Sequence, residues 1–183
     1  TFDLEYVGTS TNLQECHIWE IGAVHLSSNA TFSVTIRPNI TPYPPPFSKD
    51  FIQLTPELLD ARSACDFNTA WNKLTHWIQS ITMANTTIIM IAHNAFKADK
   101  PMMEIDTKRH NICMPYNWYF FDSLVYCRKM IPKLDSYTLG DIYMRMFNEE
   151  IPNKHQALPD AIALHNILLN LRANISGPIY PSY

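Results

Sequence analysis

Asp3 and Glu5 stand two positions apart in a stretch, residues 1–5, that reads as a β-strand, so both carboxylates project from one face. Two like charges held that close call for a cation. The same Asp-x-Glu is also what a strand with a polar outer face produces, and its weight comes from two later segments. Residues 88–92 read as a buried strand, followed by His93-Asn94-Ala95-Phe96-Lys97-Ala98-Asp99. Near the end, His155-Gln156-Ala157-Leu158-Pro159-Asp160 opens a helix. Three separated segments each deliver acid, and the last adds a histidine.

Phosphodiester hydrolysis needs such a set. Water attacks in line while negative charge builds on the phosphate and the leaving 3′ oxygen, and two divalent ions roughly 4 Å apart activate the water and stabilise the leaving group. Magnesium prefers oxygen ligands and keeps several waters, so a few carboxylates suffice. Asp3, Glu5, Asp99 and Asp160 meet that requirement. His155 supplies a base whose ordinary pKa lies near neutrality. Taken singly, His155 is equally a surface loop residue and Asp160 a helix N-terminal acid placed against the macrodipole. Four acids and a histidine, each at a strand or helix end, favour the catalytic reading.

The elements that must position these groups follow in order. Residues 6–14 read as a polar connection, and 17–26 with 30–37 as an antiparallel pair rich in β-branched and aromatic residues. Residues 38–50 carry five prolines, including Pro44-Pro45-Pro46, and read as a stiff extended loop or a ligand for a proline-binding partner. Thr55-Pro56-Glu57 has the cap, proline and acid of a helix start. A helix is expected over 66–81, where Phe67, Ala70, Trp71, Leu74, Trp77, Ile78 and Ile81 share a face. Further helices are expected over about 98–110, 122–130, 137–147 and 158–173, the last burying Ile162, Leu168, Leu169 and Leu171, with a buried strand over 118–121. Asp122, at that strand's end, is a rival ligand candidate, but helix capping is the preferred role.

The 183 residues, 46% hydrophobic and 17% charged, suit one domain with a full core, and no apolar run is long enough to span a bilayer. Cys16, Cys65, Cys113 and Cys127 show no CxxC spacing and read as reduced thiols of an intracellular protein, cytoplasmic or nuclear. Sequons at Asn29, Asn39, Asn85 and Asn174 are read as chance matches. Net charge is -3, and without the four proposed acidic ligands it becomes -3 + 4 = +1. Lys97, Lys100, Lys108, Arg109, Arg128, Lys129 and Lys133 could touch phosphates, or could form solvated helix faces. The chain opens on the catalytic-looking strand with no signal segment before it, as expected of a domain cut from a longer protein. The domain is expected over 1–175, with 176–183 beginning a linker.

The three segments together resemble the motifs of the DEDDh 3′-to-5′ exonucleases of the DnaQ-like group, which occur in this order. The resemblance covers essentially the whole chain: Phe2-Asp3-Leu4-Glu5 with Gly8, then Ile18-Trp19-Glu20-Ile21-Gly22-Ala23-Val24, then Asp99, then His155 with Asp160. It implies an α/β, ribonuclease H-like fold with a mixed five-stranded sheet flanked by helices. It implies that Asp3, Glu5 and Asp160 bind one metal, Asp3 also touching a second, with Asp99 acting through metal-bound water and His155 as general base. Two Mg2+ are the implied cofactors, with Mn2+ able to substitute. Leu4, Tyr6, Val7 and Gly8 would meet the terminal nucleotide, although Glu5-Tyr6-Val7-Gly8 replaces the common Glu-Thr-Thr-Gly. His93 and Asn94 would shape the pocket without proton transfer.

His93-Asn94-x4-Asp99-Lys100-Pro101 is also similar to motif two of three-prime repair (TREX-type) exonucleases, which points towards DNA. The expected activity is release of nucleoside 5′-monophosphates from single-stranded or frayed 3′ ends, DNA favoured over RNA. An RNA exonuclease with the same machinery, or a catalytically retired binding module, are the alternatives; the intact acid set argues against the latter. No membrane partner is expected, a homodimer is allowed, and loop 38–50 is the candidate site for a protein partner.

Overall fold

A computed structural model describes residues 1–8, 12–46 and 52–171, together with the backbone of Tyr180 and Pro181. Residues 47–50 of the proline-rich loop and most of 172–183 lie outside this set.

The first strand, β1 (Phe2–Gly8), is longer than the expected 1–5. It continues through Tyr6 and Val7 because Val7 is buried against Trp19, Leu54 and Leu59, and because Gly8 lets Cys16 approach. A Cβ on Gly8 would stand 2.4 Å from Cys16 Sγ. A 3-10 turn (Leu13–Glu15) leads into β2 (Cys16–Val24), which pairs antiparallel with β1 on one side and with β3 (Thr31–Thr35) on the other. The β1–β2 register shifts between Glu5 and Tyr6, beyond the acid pair, so Asp3 and Glu5 keep the same face. Asp106 Oδ2 takes the Ile18 N–H at 2.7 Å beside that irregularity.

Helices α1 (Pro56–Ala61) and α2 (Phe67–Ile81) start at the residues that can cap them: Thr55 Oγ1 accepts the Leu58 N–H at 3.2 Å and Asp66 Oδ1 the Thr69 N–H at 2.9 Å. On α2, Phe67, Ala70, Trp71, Leu74 and Ile78 are buried, while Trp77 and Ile81 are half-buried. Strand β4 (Ile88–Ala92) runs parallel to β5 (Trp118–Asp122), joined to it through α3 (Asp99–Arg109). Then come α4 (Ser123–Met130), α5 (Leu139–Phe147) and α6 (Ala157–Asn170), and a short β6 (Tyr180–Pro181) that pairs antiparallel with β5.

Among the described residues the strands form two sheets, ordered β1-β2-β3 and β4-β5-β6, in place of the expected single five-stranded mixed sheet. β1 and β4 touch, and the Phe2 and Phe120 rings meet edge to face at 6.0 Å, but the two strands do not pair. One reason is local: the Leu4 N–H goes to Asp99 Oδ1 at 3.2 Å. The core nevertheless spans both sheets, with Phe2, Ile18, Ile21, Met102, Met103 and Phe120 all nearly or fully buried.

On α6 the expectation of Ile162 and Leu169 as core residues is overturned, since they are 38% and 50% exposed. The buried face is Ala157, Ala161, Ala163, Leu164, His165, Ile167 and Leu168. Small residues face the sheet because α6 lies very close to it: a Cβ on Gly22 would come within 2.2 Å of the Ala157 carbonyl carbon.

Candidate active site

β1 presents Asp3 and Glu5, and the first turn of α6 presents Asp160. One carboxylate oxygen from each lies within 4.8 Å of the others. Gly22 makes this meeting geometrically feasible, because it pairs with Asp3 across the ladder at the point where α6 begins.

Asp99 and His155 line the same cleft of about 300 Å³ as these three acids. Its remaining walls include Leu4, Tyr6, Val7, Gly8, Trp19 and His93, with Pro44, Pro45, Pro46 and Ile52. The five expected catalytic positions therefore converge, with Asp99 outside the tight trio, its Oδ1 taken by the Leu4 N–H. Of the two residues expected to shape the pocket, His93 lines the cleft and Asn94 does not. Asn94 sits at φ 64° and shapes the turn after β4, donating its N–H to Asp122 Oδ1 at 3.0 Å.

Electrostatics mark the acids as mutually repelling. Burial, then Asp99, Glu5, Asp160 and Glu20, push the Asp3 carboxyl well above the ordinary range. Glu5 is pushed up to about 8, by burial first and then by Asp160, Glu20 and Asp99. Asp99 is pushed up to about 7 by burial, against the opposing Leu4 N–H. Burial also raises Asp160, although the His155 N–H, donated to Asp160 Oδ2 at 3.0 Å, opposes it. Asp160 Oδ1 is buried and has no hydrogen-bond partner. Three converging carboxylates and an orphaned buried carboxylate oxygen fit a hard divalent cation, which would neutralise this repulsion.

His93 is built for support. Its Nε2 donates to the Tyr137 carbonyl at 2.8 Å, its Nδ1 lies 3.1 Å from Ser123 Oγ, and burial lowers its pKa, so it stays neutral and fixed. Asp122 is a cap, as preferred: it takes the Leu124 N–H at 2.9 Å, and it also holds the amides of Asn94 and Phe96.

The residue missed in the sequence is Glu20. It pairs across the ladder with Glu5, is 5% exposed, and accepts the Ala157 N–H through Oε2 at 3.1 Å. Its signal was an acid in an otherwise apolar strand, Ile18-Trp19-Glu20-Ile21.

Solved structures share this fold at low identity. The nuclease domain of 3'hExo, a DEDDh family member bound to rAMP, gives a TM-score of 0.70 at 14% identity, covering 97% of this chain and 93% of that one. Cell-death related nuclease 4 (CRN-4) gives 0.62 at 15%, covering 98% and 65%. A 3'-exonuclease in a structure of 3'-end specific recognition of a histone mRNA stem-loop gives 0.69 at 14%, covering 97% and 64%. The chain thus spans just under two thirds of the latter two. A search of the curated proteins gives no match. The sequence itself matches the RNase_T family, described as exonuclease, over residues 1–168. With that match running from the paired acids of β1 to the helix that carries Asp160, the chain belongs to the RNase_T exonucleases.

Proposed function

We propose that this chain is a metal-dependent 3′-to-5′ exonuclease acting on single-stranded or frayed nucleic-acid ends and releasing nucleoside 5′-monophosphates. The observation that carries the proposal is the convergence of Asp3, Glu5 and Asp160 within 4.8 Å in a cleft shared with Asp99 and His155.

Asp3, Glu5 and Asp160 would hold a divalent cation, with Asp99 assisting; Mg2+ is the expected ion, two per site, and Mn2+ a substitute. When bound, the cation supplies Lewis acidity towards the phosphate and the attacking water. The rest of the work falls to the chain. His155 takes the proton of the attacking water, and Leu4, Tyr6, Val7 and Gly8 face the terminal nucleotide. His93, locked by its two contacts, keeps the cleft wall in place.

The similarity of motif two to three-prime repair exonucleases favours DNA. RNA is the second reading, favoured by the fold neighbours whose structures concern rAMP and a histone mRNA stem-loop. The deciding experiment is a gel time course with 5′- and 3′-labelled DNA and RNA of one sequence, with Mg2+, Mn2+ or chelator, beside Asp3→Ala. A 5′-labelled ladder shortening from its 3′ end, dependent on metal and on Asp3, is expected. No cleavage of either polymer would turn the reading towards a binding module.

A further inference from the structure

Three consecutive residues at the start of α6 are each tied down from outside the helix or from its first turn. The His155 N–H is held by Asp160 Oδ2 at 3.0 Å, the Gln156 side-chain oxygen by an Arg62 guanidinium nitrogen at 3.4 Å, and the Ala157 N–H by Glu20 Oε2 at 3.1 Å. Glu20 and Arg62 are themselves paired at 3.3 Å, with side chains 6% and 25% exposed.

This arrangement replaces an ordinary helix cap. Gln156 occupies the cap position of α6 but makes no side-chain capping bond. The exposed first amides of a helix need an acceptor, and a negative charge there is favoured by the dipole. Glu20, reaching across from β2, supplies both. The tie also bears on His155, which sits at φ 64°, a left-handed backbone that is costly for a non-glycine residue and persists only where its surroundings dictate it.

We propose that Glu20 and Arg62 are positioning residues: together they cap and anchor residues 155–157, and so hold His155 and Asp160 facing one cleft. The proposal rests on the exonuclease reading for its consequence on turnover, but the anchoring itself does not. Arg62 closes α1, and its guanidinium also lies 5.5 Å from the centre of the Trp19 ring, which lines the cleft. One side chain thus ties a cleft wall to the catalytic segment.

The test compares the full chain with Glu20→Ala, Glu20→Gln and Arg62→Met by hydrogen–deuterium exchange, Mn2+ calorimetry and steady-state kinetics. In Glu20→Ala and Arg62→Met, exchange should accelerate about 10-fold over residues 152–161 while β4 and β5 keep their protection. Mn2+ affinity should weaken by about 10-fold, the range for partners that orient metal ligands, and kcat should fall with KM little changed. Glu20→Gln, which keeps an acceptor oxygen, should restore slow exchange and most of the Mn2+ affinity. Unchanged exchange and affinity in the first two variants would overturn the proposal. So would acceleration spread evenly over all peptides with a matching loss of thermal stability and no rescue by glutamine. If the unsubstituted chain cleaves nothing, the exonuclease reading fails, and the exchange and Mn2+ measurements still decide the anchoring.

Discussion

The main-chain N–H of His155 donates to Oδ2 of Asp160 at 3.0 Å, so the expected base and the expected metal ligand of the last motif form one hydrogen-bonded unit. Their five-residue spacing matters because it folds the loop back onto the first turn of α6. The other oxygen of Asp160 is left buried and unpartnered, available to a cation.

Asp3→Ala and Asp160→Ala should each lower cleavage by on the order of 10³-fold, as expected when a preorganised charge-stabilising group is lost. The metal-free Asp3→Ala variant should melt no lower than the parent, because it removes one of several crowded carboxylates, whereas Asp160→Ala also loses the tie to the His155 N–H and should melt lower. Calorimetry with Mn2+ beside the cleavage assay checks both halves. Activity near that of the parent in either variant would reject the ligand assignment.

The metal-free protein should lose stability as pH rises. Glu5 and Asp99 have folded-state pKa values raised to about 8 and about 7, so their protonated forms are favoured by folding. Their contribution is fully present below the ordinary carboxylate values of 4.5 and 3.8 and is lost as pH climbs through the raised ones. Differential scanning fluorimetry with chelator should show the melting temperature falling between pH 5 and pH 8. Mg2+ should stabilise more at pH 8 than at pH 5, since binding must displace the retained protons.

His155→Ala should lower kcat by about 10²–10⁴-fold, the usual contribution of a general base, while Mn2+ affinity stays within a few-fold. An equal loss of metal affinity would make His155 a ligand. Its backbone tie to Asp160 survives the substitution, because the main-chain N–H is retained.

Gly22→Ala should destabilise the protein by about 1–3 kcal/mol, the range for overpacking, because the new methyl would collide with α6 backbone at 2.2 Å. Activity should fall with it, as α6 carries Asp160 away from Asp3. Chemical denaturation with and without Mn2+ measures the first effect, and the cleavage assay the second.

The groups that converge on the cleft were legible because the proposed chemistry restricts residue type: acids two apart on a strand, an acid after a buried strand, a histidine and an acid opening a helix. Helix starts were legible for a similar reason, since Thr55 and Asp66 cap where short polar side chains should. Packing was less so. Ile162 and Leu169 were expected inside because they are large and apolar, but the close approach of α6 at Gly22 demanded alanines there. Sheet connectivity was also hidden, because periodicity says which residues are buried and not which strand pairs with which. Glu20 escaped notice because its role depends on an amide 137 positions away.

Pro44, Pro45 and Pro46 line one stretch of the cleft that the four acids also line. Proline has no main-chain N–H and a locked φ, so this stretch has little freedom to lose when something packs on it and no backbone donor with which to read an edge. Any hydrogen-bond donor that reads a bound group must therefore come from elsewhere in the cleft, since these three residues offer only carbonyl acceptors.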